Sequence, residues 1–174
     1  MATVHPDTSL LPEESTPQGA RGDCQALLSV LRCGKGRGLA ALSIIDRGGA
    51  AGGEHFIPFA VDEAPSLRGR DYVYVGLGAA LDRLRSLNVR RVLIQVDDAQ
   101  LADELAKKIE PHRDLTLLYI LAGCKLNEFA NAKVVAVPAE RLNHLRAKAD
   151  SLANVLCGSA SKSRRRSVPL PLAV

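Results

Sequence analysis

Tryptophan is absent from this chain of 174 residues, and its aromatic residues are three Tyr and three Phe. Because 47% of the residues are nevertheless hydrophobic, the core must be built from Leu, Val, Ile and Ala. No apolar run approaches the roughly 20 residues that a membrane-spanning helix needs, so we expect no membrane partner. The first residues also lack a basic stretch followed by an apolar one, which argues against a signal peptide.

Paired cysteine motifs are missing as well. Cys24, Cys33, Cys124 and Cys157 are scattered, and no two of them form a Cys-x-x-Cys pair. Without a secretory signal, this pattern indicates reduced thiols in a cytoplasmic protein rather than a zinc site or a disulfide framework.

The chain lacks a strong net charge, which is only +4, but the charge is unevenly distributed. Residues 158–174 form a tail whose basic run Lys162-Ser-Arg-Arg-Arg166 suits nucleic acid or an anionic surface, or is simply solvated. Residues 1–23 are rich in Pro, Ser, Thr and Gly without a sustained period, which predicts disorder. We therefore expect one domain over residues 24–157, long enough for a core of its own.

The domain begins with a predicted antiparallel meander of three strands, Gln25–Leu31, Leu39–Ile45 and His55–Val61. Pro58 argues that the third strand lies at an edge or ends there. The glycine-rich segment Gly34–Gly38 could form an anion-binding nest, but it lacks the Walker spacing. A hairpin turn is the better interpretation.

The centre of the chain is a helix, a strand and a second helix, predicted over Tyr72–Leu87, Val92–Val96 and Asp97–Ile109. The strand is almost entirely apolar, which is typical of a strand covered on both faces. Gly76 and Gly78 inside the first helix indicate that this helix approaches the sheet closely. The unit places two adjacent carboxylates at the carboxyl end of a central strand, where α/β sheets tend to place their sites.

A third helix is predicted over Asp114–Phe129, a last strand over Lys133–Val137, and a final helix from near Pro138 to Leu156. The chain is thus predicted to form an α/β mixed sheet, with three antiparallel strands followed by alternating helices and parallel strands.

This order and four short motifs resemble the ribonuclease H family, especially its small reverse-transcriptase-associated type, over residues 26–156. The motif Val73-Tyr-Val-Gly-Leu-Gly-Ala-Ala-Leu81 is similar to the family's Glu-Tyr-x-Ala-Leu-x-x-Gly-Leu helix start. The segment Val96-Asp-Asp-Ala-Gln-Leu101 resembles its Asp-Ser-x-Leu strand end. Ala149-Asp-Ser-Leu-Ala153 resembles its closing Ala-Asp-x-Leu-Ala helix, and Val137-Pro138 its preceding Val-Pro.

The resemblance implies four carboxylates that hold two Mg²⁺ ions, which together cut the RNA strand of an RNA–DNA hybrid. Asp98 and Asp150 match two of the four, and they are the candidate catalytic and metal-binding residues. The other two acids have no counterpart. Val30 or Arg32 stands at the first position, and Val73 at the second.

Two carboxylates hold at most one Mg²⁺ loosely. The leading hypothesis is therefore a ribonuclease H-like nucleic-acid-binding or interaction module that has lost two-metal cleavage. One alternative is a live hybrid ribonuclease that recruits Asp71 or Asp46 beside the two matched acids. Another is a structural protein that assembles through its sheet edge, for example as a homodimer.

The candidate acids also have structural interpretations. Asp97 and Gln100 form an Asp-x-x-Gln pattern that resembles a capping box, and Asp98 could share that work. Asp150 could be solvated or paired with Arg146, and Asp71 is a plausible N-cap of the first helix.

A basic cluster near the end of the first helix could contact the phosphates of an RNA–DNA hybrid or another duplex without reading its sequence. It could equally be a solvated face paired with Asp82. The cluster consists of Arg83, Arg85, Arg90 and Arg91.

Overall fold

A computed structural model describes residues 23–34, 36–46, 51–62 and 65–156. The predicted disordered segment 1–23, apart from Asp23, and the predicted basic tail 158–174 lie outside the described residues. Among the described residues, no helix combines the length and apolar character needed to cross a bilayer.

One mixed sheet of five strands forms the centre of the molecule, in the order β3-β2-β1-β4-β5. The first three strands are antiparallel, whereas β4 and β5 run parallel to β1. The sequence-based prediction of the sheet is thus confirmed, including the edge position of Pro58 and the hairpin near Gly34. The strands are β1 Asp23–Gly34, β2 Arg37–Asp46, β3 Ala51–Ala60, β4 Arg91–Val96 and β5 Asn131–Ala136.

Four α-helices cover the sheet: α1 Arg70–Ser86, α2 Ala99–Leu105, α3 Thr116–Asn127 and α4 Asn143–Leu156. Helix α1 is about as long as predicted and starts two residues earlier, whereas α2, α3 and α4 are shorter than their predicted spans. A single 3₁₀ turn precedes α3, and another precedes α4. Helix α2 ends before Lys107, whose positive φ of 59° is incompatible with a continued helix.

The helices lie on both faces of the sheet. The larger core joins α1, α2 and α3 to one face, with Leu28, Leu77 and Ile94 almost completely buried. A smaller core on the other face packs Leu145 and Ala149 of α4 against β1 and β2. Side chains alternate across a strand, and this alternation lets β1 contribute to both cores.

Helix α1 begins differently from its predicted start. Gly69, with a φ of 88°, occupies the N-cap position. The prediction that Asp71 caps this helix is wrong, because Asp71 lies within the first turn and is buried.

The two glycines of α1 have different surroundings. A Cβ on Gly76 would lie 2.8 Å from both Cγ atoms of Val30 in β1, closer than carbon atoms approach in proteins. A Cβ on Gly78 would have only the side chain of Lys125 nearby, at 3.8 Å or more. The predicted close approach of α1 to the sheet therefore holds at Gly76, whereas Gly78 faces α3.

We expect Gly76→Ala to lower the free energy of unfolding and Gly78→Ala to raise it. Alanine favours a helix by about 1 kcal/mol over glycine, but overpacking against stiff Val30 costs about 1–3 kcal/mol. Urea unfolding of both variants tests this expectation. Stabilisation by both substitutions would show that α1 and β1 do not touch at Val30.

Candidate functional site

An open pocket of about 430 Å³ lies at the carboxyl ends of the parallel strands β1 and β4. Val96 at the end of β4 pairs with Leu28 of β1, so the residues that follow them meet at one edge of the sheet. Helix α1 closes the pocket with its first turn. This strand-end pocket is lined by Leu28, Val30, Arg70, Val73, Val96, Asp97, Asp98, Ala99, Gln100 and Leu101.

Asp98, the first candidate catalytic residue, lines the pocket and is held by two hydrogen bonds. Its Oδ1 accepts a 2.7 Å hydrogen bond from the backbone N–H of Leu101, which makes it the N-cap of α2. Its Oδ2 accepts a 2.5 Å bond from Nη1 of Arg70. The prediction that Asp97 and Gln100 form the capping box is therefore wrong by one residue.

Glu104 of α2, which sequence reasoning missed, is fully buried beside the pocket. Its Oε2 accepts bonds from Nη2 of Arg70 at 2.8 Å and from the hydroxyl of Tyr74 at 2.6 Å. Its Oε1 accepts from Gln100 at 2.8 Å. A buried carboxylate is tolerated only when it is paired and hydrogen-bonded, and these three donors meet that requirement.

Arg70 therefore joins two carboxylates, Asp98 and Glu104. Burial alone would lower the pKa of Arg70, but hydrogen bonds and charge from both carboxylates outweigh it and raise the pKa. Burial also raises the pKa of Tyr74, and the bond to Glu104 adds to the rise. Arg70 thus places a permanent cation at the edge of the pocket.

Asp97 is held from the other face of the sheet, by an ion pair with Arg146 of α4. The interpretation that Arg146 pairs with Asp150 does not hold, because Arg146 contacts Asp97 instead. Asp150, the second candidate catalytic residue, lies on α4 with an exposed side chain and does not line the strand-end pocket.

In the sequence, either Val30 or Arg32 could stand where the resemblance places an acid in the opening strand. The structure distinguishes these two positions. Val30 lines the pocket, whereas the guanidinium of Arg32 lies 5.2 Å from the ring centroid of Tyr72. Val73, which stands at the second missing position, lines the pocket as well. The alternative acids do not reach it: Asp46 pairs with Cys24 at the opposite end of β1, and Asp71 is buried outside the lining.

No family model matches this chain, and no curated protein matches its sequence. Similar solved structures include RNase H1 of the archaeon Halobacterium salinarum, at 18% identity over 80% of this chain and 100% of that one, with a TM-score of 0.62. Another is LC11-RNase H1 in complex with an RNA/DNA hybrid, at 17% identity, 79% and 98% coverage and a TM-score of 0.59. A third is the N-terminal RNase H domain of a Mycobacterium tuberculosis protein, at 17% identity, 79% and 99% coverage and a TM-score of 0.58.

The chain has the ribonuclease H-like fold. At these identities the similarity establishes the fold alone, and it confirms the fold that the sequence motifs implied. The strand-end pocket lies at the carboxyl ends of β1 and β4, where that resemblance places the acids of the opening and central strands.

The residues of the pocket do not fit the pair of Mg²⁺ ions implied by the resemblance. Mg²⁺ is held by carboxylate and other oxygen ligands, but only Asp97 and Asp98 supply carboxylates to the lining, and each is paired with an arginine. Over the described parts of the chain, no three His, Cys, Asp or Glu residues form a group that could hold a metal ion.

The predicted basic cluster lies away from the pocket. Arg83 is thirteen residues further along α1 than Arg70, which corresponds to about 20 Å along the helix axis. Arg83 contacts His55, Arg85 pairs with Glu128, and Arg91 lies 3.7 Å from Asp23. The predicted pairing with Asp82 is not found, because Asp82 pairs with Lys125 of α3. Their partners thus lie on different elements, and none of the four arginines lines the pocket that holds Asp98.

Removal of Arg70 tests whether the buried ion pair holds the site together. We expect Arg70→Met to lower the free energy of unfolding by about 3 kcal/mol, because Glu104 would remain buried without its cation. The double variant Arg70→Met/Glu104→Leu should be destabilised by less than the sum of the two single variants. Denaturant unfolding measures all three.

Arg85→Met is the matched control, since the Arg85 side chain is 65% exposed in its ion pair and that of Arg70 is 19% exposed. Arg85→Met should lower the free energy of unfolding by no more than about 1 kcal/mol. Additive destabilisation by the Arg70 and Glu104 substitutions would contradict a coupled pair.

The raised pKa of Tyr74 predicts that the free energy of unfolding falls at alkaline pH. The phenol ionises near pH 10 when unfolded but at higher pH when folded, so its contribution is complete below about pH 10 and is lost as the pH rises further. Between about pH 8 and pH 11, the wild type should lose more unfolding free energy than Tyr74→Phe. Urea titrations at both pH values measure the difference, with Tyr119→Phe as the control. Equal decreases in the wild type and Tyr74→Phe would contradict the raised pKa.

Proposed function

We propose that this chain is a ribonuclease H-like nucleic-acid-binding domain that has lost two-metal cleavage. The domain occupies residues 24–157 and acts in the cytoplasm, a compartment that keeps the thiols of cysteines such as Cys124 reduced.

The composition of the strand-end pocket carries the proposal. Val30 and Val73 offer no ligand atoms from β1 and α1, and Arg70 adds a cation beside Asp98. A divalent ion would have to compete with the guanidinium for Asp98 and would meet a positive charge within a few ångströms. Asp98 remains a candidate ligand for at most one loosely held Mg²⁺, whereas Asp150 does not line this pocket.

Binding of nucleic acid is supported by the fold and by exposed cations. LC11-RNase H1, which shares the fold, was solved with an RNA/DNA hybrid. In this chain Arg90 and Arg91 are exposed at the start of β4, close in sequence to Arg83 and Arg85. Arginines of this kind contact phosphates without reading bases, so we expect a duplex such as an RNA–DNA hybrid to bind with little sequence preference.

Incubation of the full chain with a labelled RNA–DNA hybrid tests both parts of the proposal. We expect binding without cleavage in Mg²⁺ or Mn²⁺, and an affinity that falls steeply with salt concentration. Arg90→Ala/Arg91→Ala should weaken binding and reduce the slope of log K against log salt by about 1 for each phosphate that the variant no longer binds. Lys107→Ala/Lys108→Ala removes the same charge elsewhere and should change the slope less.

Two results would overturn the proposal. Turnover that Asp98→Asn abolishes would establish the alternative, a metal-dependent hybrid ribonuclease. Absence of hybrid binding, or an affinity that does not change with salt, would favour a structural or interaction protein instead.

A further inference from the structure

Another hollow, of about 280 Å³, lies on the sheet at the amino ends of the parallel strands, opposite the strand-end pocket. Near its start, each of β1, β4 and β5 contributes two alternate residues whose side chains point to the face of the sheet on which α4 packs. We call this site the strand-start hollow. Its six side chains are those of Asp23, Gln25, Arg91, Leu93, Asn131 and Lys133.

The described helices leave this part of the sheet uncovered. Residues that alternate with the six, such as Cys24 and Val92, are buried on the other face in the main core. On the face of the hollow, α4 packs against β1 and β2, and four of the six side chains stay exposed. The described part of the chain therefore leaves the hollow accessible to a molecule from solvent.

The hollow carries more positive than negative charge. Arg91 lies 3.7 Å from Asp23 with its side chain 63% exposed, so this pair is weak. Lys133 makes no ion pair with any described residue. Arg91 and Lys133 stand on adjacent strands, two residues out of register, so their long side chains can reach the same group. A phosphate monoester, with a charge of about −1.5 to −2 at neutral pH, is the complementary anion.

The remaining side chains suit a planar polar ring beside that phosphate. Leu93 forms an apolar floor between Gln25 and Lys133, which lie two strand spacings, or roughly 10 Å, apart in one row. The amide of Gln25 offers both a donor and an acceptor. The edge of a nucleobase presents the same combination, so the hollow has a cationic end and a base-reading end.

Gln95 supports the end of the hollow at which Gln25 lies. It follows Leu93 by two residues on the same face and is 5% exposed. Its Nε2 donates a 3.4 Å hydrogen bond to Oε1 of Gln25 and so orients that amide. The Oε1 atom of Gln95 accepts no hydrogen bond from any described residue, although a buried oxygen normally has a donor. A bound molecule, directly or through a water, would supply it.

We propose that the strand-start hollow binds one nucleoside 5′-monophosphate. Its phosphate lies between Arg91 and Lys133. Its base lies over Leu93, with one edge toward Gln25. The volume, about 280 Å³, is close to the lower limit of roughly 300 Å³ for small-molecule sites, so the hollow admits a single nucleotide rather than a duplex. That nucleotide is either free or the 5′-terminal residue of a strand. The inference extends the proposed binding of nucleic acid and rests on it for Arg91, which both use.

NMR titration of the full chain tests the proposal. The probes are the four ribonucleoside 5′-monophosphates, their parent nucleosides and inorganic phosphate. We expect at least one nucleotide to shift the backbone amide signals of Gln25, Leu93 and Lys133. Its affinity should exceed that of phosphate or of the nucleoside by about tenfold or more, because both ends of the molecule are held.

Two variants separate the ends of the hollow. Lys133→Ala should weaken the binding of both nucleotide and phosphate by about tenfold, since a charge-assisted hydrogen bond is lost. Gln25→Ala should weaken the binding of the nucleotide and leave that of phosphate unchanged. Lys108→Ala is the matched control for charge, because Lys108 is exposed and lies outside the hollow. Thermal unfolding verifies that each variant folds.

Short single-stranded oligonucleotides distinguish the two sources of the nucleotide. If strand ends bind, a 5′-phosphate should raise the affinity above that of the 5′-hydroxyl form, and Lys133→Ala should remove the gain. If free nucleotides alone bind, the two forms of the strand should bind alike.

Absence of shifts in the hollow with every nucleotide, as would follow if the residues before Asp23 fill it, would overturn the inference. Equal affinities of Lys133→Ala and Lys108→Ala would do the same. Hybrid binding is measured separately, so a chain that binds the hybrid but no nucleotide would refute this inference and leave the proposed function standing. Nucleotide binding without hybrid binding would have the opposite meaning.

Discussion

The guanidinium group of Arg70 connects the three elements around the strand-end pocket. One of its nitrogens binds Asp98, which follows β4, and another binds Glu104, in the last turn of α2. Glu104 has no access to water, so the folded state depends on a cation at this position. The side chains of Tyr74 and Gln100 complete the hydrogen bonding of Glu104, and the bond from Tyr74 joins α1 to α2. The position of the first turn of α1 follows from this buried charge pair.

The same pair determines what the pocket can do chemically. The ribonuclease H-like fold brings the carboxyl ends of two parallel strands to one edge of the sheet. In this chain the edge carries two valines and a cation, and the two carboxylates are neutralised by Arg70 and Arg146. The strand-end pocket thus holds an internal ion-pair network, and a divalent ion would have to displace a guanidinium to reach Asp97 or Asp98.

Two surfaces of the molecule differ in character. The strand-end pocket has charges of both signs, whereas the arginines toward the far end of α1 are basic and exposed. The 17 residues of α1 span about 25 Å and separate these two surfaces along the helix.

Local patterns in the sequence were sufficient for the strands, their order and the hairpin, because hydrophobic period and turn residues act over a few positions. The absence of any Asp or Glu between Asp23 and Asp46, in the opening strands, is likewise visible in the sequence itself. Only the tertiary structure decided that Arg70 meets Glu104, 34 residues away, and that Arg146 reaches Asp97 from the opposite face of the sheet. The sequence offered both Asp97 and Asp98 as caps of α2, and only the structure decided for Asp98, because one residue of shift changes which carboxylate faces the helix. Ion pairs between distant elements depend on how helices pack against each other. No periodic pattern of residues in the sequence encodes that packing.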